Sequence, residues 1–169
     1  MICSILASTN MGGIGNRGTL PWPHNKEDLA WFKKHTEGHI VVMGRNTWND
    51  PKMPKPLPNR VNVIVSNNPI TDYQVRRVYG DISEEVLTLQ KQFPDRDVYI
   101  IGGKQIYEAT ADIVDRVILT RVKGNYWADT RLNLERYLAP FRIKSVKPST
   151  GCTYETWDRE VFFRVDNNT

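Results

Sequence analysis

The sequence predicts an α/β fold: one domain with a central, mostly parallel eight-stranded sheet, about four flanking helices and an antiparallel hairpin on the carboxyl-terminal edge. Apolar, β-rich runs alternate with helical patterns along most of the chain, which is the signature of strands linked by crossover helices. Runs such as Tyr99-Ile100-Ile101 are near-continuously apolar, as in strands covered on both faces. The last two strand candidates follow each other with no helix between them, so they pair antiparallel. At 169 residues the chain fits a single domain, 1–169, with enough length to bury a real core.

The elements follow in order. Residues 2–7 (Ile-Cys-Ser-Ile-Leu-Ala) form an apolar first strand; with no basic stretch and no long apolar core, they are not a signal peptide. Residues 12–23 hold four glycines and two prolines, which predicts an irregular, mobile loop over a site or a plain surface connection. Asn25 is a helix cap, and residues 26–35 a helix. Strand 40–43 runs into a short helix, 45–49. Residues 51–58 contain four prolines and cannot be helical. Strands 61–65 and 74–78 follow, then helix 83–92, strand 98–101, helix 104–110 and strand 116–122. The final strands are expected at 141–146 and 160–165, with 148–158 as their long connection.

Composition narrows the function classes. Hydrophobic residues make up 40% and charged residues 25%, as in ordinary globular proteins. No apolar run approaches the roughly 18 residues that span a membrane, so no membrane partner is expected. Cys3 and Cys152 give neither a disulfide framework nor a metal-ligand spacing; free thiols in a reducing cytoplasm are expected. His24, His35 and His39 are too few and too poorly spaced for a metal site, so none is predicted. The net charge of +4 is spread over scattered Lys and Arg, which fits a polyanionic small ligand as well as nucleic acid.

Three constellations carry chemistry. Asp28 stands at the third position of the helix after Asn25, where it can close a capping box. Trp31 and Phe32 lie on the same helix face. A carboxyl beside two rings and a Trp22 loop would be partly desolvated, its pKa raised, and suited to holding a protonated heterocycle. Both readings of Asp28 stand at this point. The second constellation is Met43-Gly44-Arg45-Asn46-Thr47, a strand entering a helix start, where backbone N–H groups favour an anion and Arg45 offers a fork to a phosphate. The third is Ile100-Ile101-Gly102-Gly103-Lys104, where paired glycines let backbone approach a ligand. Two such junctions in one small chain fit a dinucleotide, whose phosphates are separated.

In type and spacing these residues resemble dihydrofolate reductases. The resemblance rests on Gly13-Ile14-Gly15 … Leu20-Pro21-Trp22 … Asp28 … Phe32 … Thr36, then Met43-Gly44-Arg45-Asn46-Thr47-Trp48, Leu57-Pro58-Asn59-Arg60 with Asn62-Val63-Ile64-Val65-Ser66, Ile101-Gly102-Gly103 with Ile106-Tyr107, and Leu119-Thr120 with Ala128-Asp129-Thr130. It implies an NADPH-dependent oxidoreductase that reduces 7,8-dihydrofolate to tetrahydrofolate and so feeds one-carbon metabolism and thymidylate synthesis. The implied catalytic set is Asp28, Trp22 and Thr120. Asp28 would hold N3 and the 2-amino group of the pterin, Thr120 would orient Asp28, and Trp22 would hold an ordered water beside it. Ile5, Leu6, Phe32, Leu57 and Ile101 would line the substrate pocket, and Arg60 would pair with the glutamate α-carboxylate. Ala7, Ile14 and Gly15 would lie near the nicotinamide. Gly44, Arg45, Asn46, Thr47, Ser66, Ile101, Gly102, Gly103, Lys104, Gln105 and Ile106 would take the rest of NADPH, with a cis Gly102–Gly103 peptide. Residues 39–95 would form an adenosine-binding subdomain within the one domain. Dihydrofolate is the implied partner of a cytoplasmic monomer that binds no nucleic acid.

The chain departs from the family pattern at three points. Asn59 replaces a usual glycine before Arg60, and Asn is the best substitute if that position needs a positive φ. Residues 52–56 are longer than in short bacterial members. Gln105 stands where many members carry a basic residue, which leaves Arg45 as the main partner for a 2′-phosphate. The residues give no functional reading of Tyr126-Trp127 or of 152–158. Two rivals are a reductase of riboflavin biosynthesis and a nucleotide-binding protein without chemistry. The Pro-Trp to Asp28 spacing and Arg60 oppose the first; intact Trp22, Asp28 and Thr120 oppose the second.

Overall fold

Eight strands form one sheet in the computed structural model, which describes residues 1–72 and 74–160. The strands are β1 (Ile2–Thr9), β3 (Ile40–Gly44), β4 (Val61–Val65), β5 (Arg76–Val78), β6 (Val98–Gly102), β7 (Arg116–Val122), β9 (Phe141–Pro148) and β10 (Cys152–Arg159), in the order β5-β4-β3-β6-β1-β7-β10-β9. From β5 to β7 every pairing is parallel; β10 and β9 add antiparallel. The helices are α1 (Lys26–Thr36), α2 (Arg45–Trp48), α3 (Ile82–Gln92), α4 (Lys104–Thr110) and α5 (Leu134–Leu138).

Alternation within the buried strands builds two cores at once. Ile40 and Val42 of β3 enter one cluster with Val86 and Leu89 of α3 and Ile106 and Tyr107 of α4. Val41 and Met43 enter the other, with Ile5, Leu57, Trp48 and the half-buried rings of Trp31 and Phe32. Side chains two apart share a sheet face, so a strand apolar at every position must be covered on both. Each such aliphatic side chain contributes roughly 1.5–3 kcal/mol when fully buried.

The structure changes three expectations. The eighth strand is Cys152–Arg159, within the stretch read as a long connection. Its residues pair with β7 and β9 in turn, and only residues 149–151 remain as the turn. The run Thr-Tyr-Glu-Thr-Trp is strand-forming, and its inward side chains, Cys152 and Tyr154, are buried. In the expected strand 160–165, Glu160 lies beyond β10 and residues 161–165 fall outside the described residues. A fifth helix, α5, is capped by Asn133, whose side chain accepts from the Arg136 N–H. At five residues it is too short to show a period.

The glycine-rich stretch 12–23 is not irregular throughout. Residues 13–15 form β2 (Gly13–Gly15), paired with β8 (Thr130–Arg131). Asn16 and Thr19 then exchange backbone hydrogen bonds of 2.8 and 3.2 Å around Arg17 and Gly18, both at positive φ (51° and 78°). That is the geometry of a two-residue hairpin turn. Asp129 fastens it by accepting from the Arg17 N–H at 2.8 Å, while its own N–H donates to Gly15.

Candidate active site

A cleft of about 1070 Å³ opens at the carboxyl ends of β4, β3, β6 and β1. β3 and β6 are neighbours, so their junctions with α2 and α4 stand side by side. Gly44 and Gly103 occupy the two cap positions, and neither helix start has a side-chain cap. At Gly102 φ is +119°, and an added Cβ would stand 3.2 Å from the Tyr107 hydroxyl. At Gly44 a Cβ would meet Ile106 Cγ1 at 3.0 Å. The Gly102–Gly103 peptide is cis. We expect Gly102→Ala to lose roughly 1–3 kcal/mol of stability from strained backbone alone. Denaturant unfolding checks this, and an unchanged midpoint would show that the position accepts a side chain.

All the residues that the resemblance assigns to the cofactor line this one cleft: Ala7, Ile14, Gly15, residues 44–47, Ser66 and residues 101–106. The sequence scatters them over a hundred positions. Parallel pairing collects them, because every strand from β4 to β1 delivers its carboxyl end to the same rim. The hairpin at residues 16–19 forms another wall with Asp129 and Thr130.

Next to the cleft lies the second apolar cluster, which includes Ile5, Phe32, Leu57 and Ile101. Ile101 belongs to both the cluster and the cleft lining, so it joins them. Asp28 lies on the α1 side of this region and is only 9% exposed. Asn25 caps α1 by accepting the Asp28 N–H at 3.1 Å. Among the described residues no backbone N–H donates to the Asp28 carboxylate, so the reciprocal half of a capping box is not formed. Burial pushes the Asp28 carboxyl up from its ordinary value; the Thr120 hydroxyl opposes the rise, and the charge of Glu27 adds to it. Desolvation disfavours the charged form of a carboxyl that has no cationic partner. Trp22 is buried against Val122, Cys152 and Tyr154, and Trp31 packs on the same cluster.

Arg60 sits beside the second apolar cluster, 6.0 Å from the Phe32 ring centre. Its Nη1 donates to Thr36 Oγ1 at 2.9 Å and its Nε to the Pro58 carbonyl at 2.9 Å. The preceding Asn59 adopts φ +59°, as a substitute for glycine must. Among the described residues Arg60 forms no ion pair, and burial lowers its pKa while Glu37 raises it. A partly desolvated guanidinium held on neutral acceptors is prepared for an anion.

Three positioning residues were not singled out from the sequence as site members. Asn62, 2% exposed on β4, accepts the Leu57 N–H at 3.0 Å and donates to the Leu57 carbonyl at 2.9 Å, which fixes Leu57 in the second apolar cluster. Its signal was a lone amide in an apolar strand, since a buried amide must be bonded. The Tyr107 hydroxyl donates to the Ile5 carbonyl at 2.8 Å and its ring underlies Gly102. Asn25 also donates to Cys152 Sγ at 3.3 Å, tying the Asp28 end of α1 to β10. Cys152 and Cys3 are both free thiols and buried. Among the described residues no group of His, Cys, Asp or Glu is arranged to hold a metal ion, and no helix is long and apolar enough to cross a membrane.

Comparison with known proteins points the same way. A family model described as dihydrofolate reductase matches residues 1–151. The chain is 38% identical over 156 residues to the bifunctional dihydrofolate reductase-thymidylate synthase of Paramecium tetraurelia, covering 89% of this chain and 32% of that longer protein. It is 31% identical over 162 residues to dihydrofolate reductase type 8 of Escherichia coli, covering 93% of this chain and 95% of the relative. A solved dihydrofolate reductase from Enterococcus faecalis, complexed with NADP(H) and RAB-propyl, superposes with a TM-score of 0.84 at 25% identity, over 95% of this chain and 97% of the other. Fold, cleft and sequence agree over nearly the whole length, and the chain belongs to the dihydrofolate reductase family.

Proposed function

We infer that this chain is an NADPH-dependent oxidoreductase that reduces 7,8-dihydrofolate to 5,6,7,8-tetrahydrofolate. The observation that carries the reading is the adjoining of two regions through Ile101: a glycine-lined cleft at two helix starts, and an apolar cluster that packs against α1, the helix carrying the buried acid Asp28. The cleft suits a dinucleotide, because Gly44, Gly102 and Gly103 line it with backbone at two helix starts that have no side-chain cap. Bound NADPH would supply the hydride.

The chain's own residues do the rest. Asp28 accepts hydrogen bonds from N3–H and the 2-amino group of the pterin and favours its protonated form, since a carboxylate in a desolvated site interacts strongly with a cationic ring. Thr120 holds Asp28 in orientation. Trp22 and the neighbouring rings limit bulk water around the carboxyl. Ile5, Phe32, Leu57 and Ile101 align the pterin and benzoyl groups, Leu6 faces the opposite core cluster and the cofactor cleft instead, and Arg60 takes the glutamate carboxylate. Ala7, Ile14 and Gly15 would flank the nicotinamide, residues 39–95 would carry the adenosine end, and alignment of the two rings is the main contribution of the protein. We also take it to be a cytoplasmic monomer that acts without nucleic acid, in keeping with its two buried free thiols.

NADPH oxidation followed by absorbance tests the reading. Turnover is expected with dihydrofolate and not with the pyrimidine intermediate of riboflavin synthesis; the reverse would overturn it. Arg45 is exposed at the start of α2 on the cleft rim, where its fork can meet a 2′-phosphate. Arg45→Ala is therefore expected to raise the KM for NADPH about tenfold, the scale of one charge-assisted contact, and the KM for NADH far less. Equal changes in both would show that Arg45 does not read the phosphate.

A further inference from the structure

A second arginine stands behind the same rim. Arg77 is the middle residue of β5, the edge strand beside β4. Its Nε donates to the Ser66 carbonyl at 3.0 Å and its Nη2 to the Asn67 carbonyl at 2.8 Å. The guanidinium lies 4.6 Å from the Tyr79 ring centre, a contact that restricts its rotation. The segment it grips closes on itself: Ser66 Oγ donates to the Asn68 carbonyl at 2.9 Å and accepts the Asn68 N–H at 3.2 Å, while the Ser66 N–H donates to Val78. Ser66, Asn67 and Asn68 all line the cleft, whereas Arg77 does not.

A trans peptide points its C=O and N–H in opposite directions. With the Ser66 carbonyl turned to Arg77, the Asn67 N–H faces away from it, and among the described residues that N–H has no acceptor. One fork thus fixes two consecutive peptides of a turn whose other side is the cleft wall.

We propose that Arg77 is a positioning residue for cofactor choice: by clamping the Ser66 and Asn67 carbonyls it holds the turn at residues 66–68 in the form that accepts the 2′-phosphate of the adenosine end. This rests on the reading of the cleft as an NADPH site. It also accounts for phosphate recognition on a rim where Gln105 supplies no charge. The turn is built by the backbone of β4 and braced from β5, so Arg77 acts without touching the cofactor.

The test measures binding of adenosine 2′,5′-bisphosphate and of 5′-AMP by calorimetry, alongside kcat/KM for NADPH and NADH, in the parent, Arg77→Gln and Arg77→Lys. The parent should prefer the bisphosphate and NADPH; if it does not, the cleft reading itself fails. Given that preference, Arg77→Gln should lower the bisphosphate-to-AMP ratio and the NADPH-to-NADH ratio about tenfold each, the worth of one charge-assisted hydrogen bond pair. Arg77→Lys, which keeps the charge and loses the fork, should fall with it. Dihydrofolate KM should stay at the parent value. A lowered Tm with both ratios intact would mean that Arg77 is merely structural, and full retention by Arg77→Lys would overturn the clamp.

Discussion

Asp28→Asn is expected to slow hydride transfer at neutral pH by about a hundredfold to ten-thousandfold, the usual span for losing a positioned acid–base group. The amide keeps the shape of the carboxyl and Asn25 still caps the same N–H, so α1 should form as before. What disappears is the charge that favours a protonated pterin. Activity should recover in part in acid, where dihydrofolate protonates without help. NADPH affinity should stay near the parent value, because Asp28 is not among the residues lining the cleft. Single-turnover transfer across pH reads this directly, and a near-normal rate at neutral pH would sink the assignment.

The same substitution has a stability signature of the opposite sign. Burial raises the folded carboxyl's pKa above its ordinary value of 3.8, so the folded state holds the proton to higher pH than the unfolded chain. The stability that this proton contributes is complete below the unfolded value and is lost as pH rises through the folded one. Asn does not titrate. The variant should therefore gain on the parent as pH leaves the acid range. A residue kept only as a helix cap predicts the reverse, a loss of about 1 kcal/mol on replacement. A catalytic loss joined to a stability gain thus separates the two readings of Asp28.

Arg60→Leu should weaken dihydrofolate binding by about 2–5 kcal/mol, the cost of removing one member of a close charge pair. The guanidinium is already oriented by Thr36 and Pro58 and partly stripped of water, so little ordering remains to oppose the contact. A pterin lacking the glutamate tail should lose little from the same change. Thr36 hydrogen-bonds to the Phe32 carbonyl as well as to Arg60, so a purely structural Arg60 would disturb the pocket for both substrates alike. Dissociation constants for the full and truncated ligands decide between these outcomes.

Much of this protein is legible in sequence where one local rule dominates. Asn25 and Asp28 can be placed at a helix start because a cap needs only four consecutive positions, and Asn25 does cap it. The buried strands can be placed because continuous apolar runs demand cover on both faces. Asn59 at positive φ follows from its tolerance of the left-handed region. The failures occur where a non-local partner overrides the local pattern. Residues 152–159 look like a polar connection until β7 and β9 pair with them on both sides. The glycines at 12–18 look irregular until β8 and Asp129 fasten them.

The site divides along the same line. Its residue types, their order along the chain and the class of chemistry are set by sequence motifs, each of which spans a few positions. That Thr120 meets Asp28, that Arg60 is held by Thr36, and that Arg77 braces the turn beside Ser66 depend on pairs separated by up to 92 positions. Burial, desolvation and hydrogen-bond partnership are properties of space rather than of chain order. They come into being only when the parallel sheet brings its strand ends to one rim.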